Sequence, residues 1–281
     1  MTASTTSQRR LSPRRLSPRR RLLFAVVAVV LAVAAGLAGF LLAHRDGSSY
    51  ARPGVSQSKQ GPVLLVPGYG GNAAGLDRLA TEIRATGRQV SVVSLPGNGT
   101  GDLTAQARVL DTAVLEAVAE GAPSVDIVGY SAGGVVARIW ARDNGGAGKA
   151  RRIVTLGSPH HGTDLAAVAG VFAPRACPLA CRQLEPGSAV LTGLNRGDET
   201  PDGPAWVSIW TSQDLVVSPP DTARLVGATN VVVQDVCPGR TVDHAHLPTD
   251  AVVDALVLRA LAVAPFVAPT STDCAALSTG Q

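Results

Sequence analysis

Six short apolar runs, most of them rich in valine and isoleucine, recur along this chain between longer segments of helical period. They lie at Val63 to Val66, Val90 to Val93, Val125 to Val128, Ile153 to Leu156, Val207 to Trp210 and Val231 to Val233. Runs this short, without polar alternation, suit strands buried on both faces. Helical patterns fall between them at Leu76 to Ala85, Leu103 to Ala119 and Ala132 to Ala141, and Ala251 to Ala262 closes the series. Strands alternating with helices imply an α/β class, a mainly parallel sheet with helices on both faces. A chain of 281 residues that is 46% hydrophobic can bury such a core. One stretch breaks the alternation. Ala166 to Asn195 contains Pro174, Pro178, Pro186 and two cysteines, and is expected to pass over the carboxyl edge of the sheet, where ligands bind in such folds.

The first residues read differently. Arg9, Arg10, Arg14, Arg15, Arg19, Arg20 and Arg21 stand without any acid before them, within a repeated RLSPRR. The whole chain carries +4 and this stretch +7, so everything after it sums to −3. No basic patch interleaved with aromatics follows, and nucleic acid is not an expected partner. Leu22 to Ala43 is uncharged and apolar throughout, about 33 Å long as a helix, which matches a bilayer core. The reading is one N-terminal transmembrane helix, a signal-anchor. Its arginines stay cytoplasmic and the rest of the chain lies outside the cell membrane. A secreted form is the alternative, through cleavage near Ala32-Val33-Ala34 or a loose twin-arginine signal at Arg19-Arg20. The organisation expected is a basic tail at 1–21, an anchor at 22–43, a polar linker at 44–61, a catalytic domain at 62–265 and a C-terminal tail at 266–281.

Cys177, Cys181, Cys237 and Cys274 all follow the anchor. An even number in an extracytoplasmic segment points to two disulfides. Cys177–Cys181 closes locally around PLA, which leaves Cys237–Cys274 to tether the tail. A zinc site is disfavoured because Cys177 and Cys181 lack a second close pair and the histidines cluster elsewhere.

The chemistry concentrates at Gly129-Tyr130-Ser131-Ala132-Gly133. This Gly-x-Ser-x-Gly follows a strand and opens a helix, the context of a nucleophile elbow that lifts a serine Oγ clear of the sheet. In such folds the acid and then the histidine follow the serine in the chain. His44 borders the apolar segment and His160 and His161 come too early, so His244 and His246 remain as the base. Asp214, just beyond the strand-like Val207 to Trp210, is the favoured acid because it projects from a carboxyl end; Asp221 is the runner-up. An oxyanion hole needs backbone amides. One is expected from Ala132, the other from the glycine-rich loop within VLLVPGYGGN, which lacks the Gly-Lys-Ser/Thr ending of a phosphate loop.

Taken together, PVLLVPGYGGN, SLPGNGTGDL, VDIVGYSAGGVVAR, TLGSPHHGT and SIWTSQDLVV resemble the small bacterial lipases and esterases of the α/β-hydrolase superfamily. The likeness runs in order from about Pro62 to Leu261. It implies an α/β-hydrolase fold and an ester or lipid substrate cleaved through Ser131, Asp214 and His244, with no metal or organic cofactor and a monomeric state. The family often has His-Gly where this chain has Pro67-Gly68, which carries the second oxyanion donor over to the Tyr69 amide. It often has Gly-His-Ser-Met-Gly where this chain has Tyr130 and Ala132. The family's histidine lies three residues before a leucine, as His244 does before Leu247, which selects His244 over His246. His160-His161 matches a motif that shapes the cleft floor. Acyl transfer to an alcohol, or a noncatalytic surface protein on the same scaffold, are the alternatives.

Overall fold

The computed structural model describes residues 55–279. They build six strands, β1 (Val63–Val66), β2 (Val90–Val92), β3 (Val125–Tyr130), β4 (Ala150–Leu156), β5 (Ala205–Trp210) and β6 (Thr229–Val232). The helices are α1 (Asp77–Ala85), α2 (Leu103–Ala119), α3 (Ala132–Asp143), α4 (Asp164–Phe172), α5 (Leu179–Gln183), α6 (Ala189–Leu194), α7 (Val233–Val236), α8 (Ala251–Leu261) and α9 (Cys274–Thr279). All strand pairings are parallel, in the order β2-β1-β3-β4-β5-β6. The chain passes from β1 to the edge strand β2 and returns on the other side of β1 as β3. The order therefore reverses between β1 and β3, and a crevice opens there at the carboxyl ends.

Successive strand residues feed opposite layers. Leu64 and Val66 pack with Leu110 of α2 and Val136 and Ile139 of α3, whereas Val63 and Leu65 pack with Leu79 of α1 and Leu256 of α8. Each such side chain, fully buried, stabilises the fold by about 1.5–3 kcal/mol before entropy is counted. Aspartates cap two of these helices. Asp102 accepts from the Thr104 amide at the start of α2, and Asp250 accepts from Val252 and Val253 at the start of α8.

Every apolar run named from the sequence is a strand, but β4 starts three residues early, at Ala150. Arg151 and Arg152 hid that start. In the β3–β4 register Val125 faces Ala150 and Asp126 faces Arg152, so Arg151 is the extra residue of a bulge. There its guanidinium reaches the buried Asp126. The 166–195 stretch is not irregular either, since it holds most of α4 and all of α5 and α6.

The expected linker ends earlier than residue 61. Gln57 donates to the Gly203 carbonyl, Gln60 to that of Leu261, and Ser124 to that of Lys59, so these residues are tied to the folded unit. The basic tail, the apolar run Leu22 to Ala43 and linker residues 44–54 lie outside the described residues. Among the described residues no helix is long and apolar enough to cross a membrane. The cysteines pair as Cys177–Cys181 and Cys237–Cys274. The second bridge holds α9, whose Leu277 is fully buried.

Candidate active site

β3 ends at Tyr130 and α3 begins at Ala132, leaving Ser131 alone to make the turn. Its backbone sits at φ 52° and ψ −124°, a sparsely populated region for a residue with a side chain that costs on the order of 1–3 kcal/mol. Two glycines make the turn possible. A Cβ on Gly129 would come within 2.6 Å of Gly134, and one on Gly133 would overlap the Val66 and Pro67 carbonyls. The Ser131 amide donates to the Leu156 carbonyl at 2.8 Å, pinning the elbow to the end of β4.

His244 comes to this serine from 113 residues away along the chain, its Nε2 3.0 Å from Ser131 Oγ. Its Nδ1 lies 2.7 Å from Asp214 Oδ2. The other oxygen of Asp214 accepts from the Val216 and Val217 amides at 2.9 and 2.7 Å. With one oxygen held by two amides, the carboxylate can only present its second oxygen to the imidazole. All three side chains are buried.

The loop carrying His244 is braced on several sides. Thr211 donates to the Val242 carbonyl and Gln213 accepts from the Val242 amide. Arg240 forms an ion pair with Asp250, the residue that caps α8. Tyr130 lies beneath the imidazole, ring centres 5.2 Å apart, and its hydroxyl donates to the His244 carbonyl at 3.0 Å. Burial first, then the charges of Asp214 and Asp243, push the Tyr130 phenol above its ordinary value, so it remains a neutral donor. Sequence reasoning treated Tyr130 as a departure from a motif and missed this bracing role.

Tyr69 occupies a tight turn closed by the Gly71 amide donating to the Gly68 carbonyl. A Cβ on Gly68 would approach Ser131 Cβ to 2.9 Å, so this turn presses directly against the serine. Ala132, the first residue of α3, has an amide with no carbonyl of its own helix to meet. Between the turn and α4 opens a cavity of about 220 Å³ with Ser131 in its wall.

The model describing the alpha/beta hydrolase fold matches residues 61–175. The chain has the α/β-hydrolase fold. A lipase B of Aspergillus fumigatus superposes with a TM-score of 0.66 at 19% identity, over 82% of this chain and 59% of the lipase. The mature lipase BlEst2 of Bacillus licheniformis gives 0.55 at 18% identity, over 67% of this chain and 86% of that one. The chain thus spans under two thirds of the fungal enzyme's length, and at these identities the likeness is one of fold. No curated protein matches the sequence significantly.

The remaining sequence candidates lie apart from the serine. His246 is largely exposed and bonds Asp243, 2.7 Å away. Asp221 is exposed in the short turn Pro220–Ala223. His160 is fully buried, with Nε2 3.1 Å from Thr155 Oγ1. Burial above all, then Arg138 and His161, hold it well below the usual histidine range, so it is neutral. Arg138 itself is lowered to about 10 by burial and donates to the carbonyls of His160, Leu194 and Glu199. Among the described residues no group of three His, Cys, Asp or Glu could hold a metal ion.

Proposed function

We propose that this protein is a serine hydrolase of carboxylic esters that works through an acyl-enzyme. Ser131 Oγ attacks the acyl carbonyl while His244 Nε2 takes its proton. Asp214 holds the imidazole in the tautomer with hydrogen on Nδ1 and stabilises the imidazolium that forms. The Tyr69 and Ala132 amides receive the developing oxyanion. The C–O bond to the alcohol then breaks, and His244 returns the proton to the departing oxygen. Water, deprotonated by the same histidine, attacks the acyl-Ser131 ester and releases the acid.

What carries this reading is the unbroken relay from Ser131 Oγ through His244 to an Asp214 whose second oxygen is already occupied. The strained serine backbone supports it as well. We further propose a monomer held at the outer face of a cell membrane by Leu22 to Ala43, with a secreted form if that segment is cleaved. The two disulfides support an oxidising compartment, and the arginines before the apolar run support the orientation. Hydrolysis of p-nitrophenyl butyrate by the full chain, abolished in Ser131→Ala, is the expected result. A folded wild type inactive on every ester would contradict the proposal. External protease should digest the catalytic domain of intact cells; full protection would contradict the placement.

A further inference from the structure

Resting on that reading, the cavity beside Ser131 can be assigned to one side of the substrate. The departing alcohol oxygen must face His244 Nε2, which reprotonates it. The cavity is walled by Ser131 and Tyr69 but not by His244, so it lies on the other side of the reacting carbonyl, where the acyl chain is. Its chemistry agrees. Apolar side chains, among them Leu165, Ala166, Ala169, Leu184 and Val217, form most of the wall, and beyond Ser131 and Tyr69 the one polar side chain, Thr163, spends its hydroxyl on the Val216 carbonyl at 2.6 Å. A charged acyl group would find no counter-charge there.

Its length follows from α4. Thr163 anchors the start of this helix near the Asp214 loop, accepting from the Ser218 amide, and the cavity runs along the helix to Ala169. Those six residues of rise amount to about 9 Å. The far wall is built unevenly. Gln183 of α5 accepts from the Leu103 amide and donates to Asp102, and the Ala180 amide donates to the Thr100 carbonyl, so α5 is fixed to the body of the fold. The segment 173–176 is exposed and returns to that fixed helix through the Cys177–Cys181 bridge and a bond from Arg182 to the Cys177 carbonyl. Cys181 and Ala176 both line the cavity.

We infer that this protein selects apolar acyl chains of medium length, with Ala169 setting the cut-off and the Cys177–Cys181 bridge keeping the end wall in place. The test is kcat/KM of the full chain on p-nitrophenyl esters from acetate to palmitate. The value should climb by about fourfold per methylene as far as hexanoate or octanoate and then stop climbing. Ala169→Leu should lower the octanoate-to-butyrate ratio about tenfold or more. Ala176→Leu, on the exposed rim and therefore safe for folding, should lower the dodecanoate-to-octanoate ratio. Removing the bridge in Cys177→Ala/Cys181→Ala should raise that same ratio. A profile flat from acetate to palmitate, or ratios unmoved in both folded leucine variants, would overturn the inference while leaving ester hydrolysis standing. A wild type inactive on all of these esters would overturn the proposed function and this inference with it.

Discussion

Two buried aspartates at opposite ends of the sheet show how differently one side chain can be used. Asp126, near the start of β3, meets Arg88 and Arg151 with a single oxygen while its other oxygen has no partner. Arg151 also bonds the Leu261 and Ala262 carbonyls, so this cluster ties β2, β3, β4 and the end of α8 together. Asp214, beyond the end of β5, meets two neutral amides and an imidazole. Both carboxylates are shielded from water, but the partners of Asp126 are permanently charged, whereas that of Asp214 can gain and lose a proton. The first arrangement can only hold the chain together. The second leaves a carboxylate beside the ring that, in the proposed mechanism, becomes a cation when it takes the proton of Ser131.

The two aspartates should differ most in kinetics. Asp214→Asn should cut kcat by about 10⁴, because the amide favours the wrong imidazole tautomer, with the circular dichroism spectrum unchanged. His244→Ala should lose a similar amount or more. Asp126→Asn should do the opposite, leaving two buried guanidiniums without a counter-charge at a cost of about 3–5 kcal/mol. A urea melt should register that loss, while kcat of the folded fraction stays near wild type.

Asp254 sharpens the contrast. It is buried against one partly exposed arginine, Arg78, and burial outweighs that partner, raising its carboxyl to about 6. A carboxyl raised in the folded state binds more protons there than in the unfolded chain, so its contribution to stability should fall as pH rises from about 4 to 6. Asp254→Asn should flatten that part of the stability profile, read as melting temperature against pH. The smallest effects belong to His246→Ala and Asp221→Asn, both exposed, which should change kcat/KM by no more than about twofold.

The strands were legible because β-branched runs buried on both faces need no alternation to mark them. Ser131 was legible because the close approach of strand and helix admits only glycine at positions 129 and 133. Asp214 could be placed from its position just past a strand. His244 and His246 could not be separated by local pattern, since the decision rests with Leu247. That leucine is fully buried, close against Gly157, and accompanies His244 inward while His246 faces solvent. Other parts left no local signature. Asp126 lies 38 residues from Arg88 and 25 from Arg151, and the two arginines near the start of β4 read as lying outside the strand. Helices α4 to α6 are short and set apart by Pro174, Pro178 and Pro186, which breaks up any helical period across the stretch.

Activation of Ser131 by the His244–Asp214 pair is what the proposed chemistry requires. Treating the full chain with a fluorophosphonate at neutral pH and mapping the adduct by peptide mass spectrometry reads it at the serine itself. One adduct per chain on Ser131 is the predicted result, lost on prior denaturation and formed at least about 100-fold more slowly in His244→Ala. A folded wild type that takes up no adduct, or labels at the same rate without His244, would contradict the account.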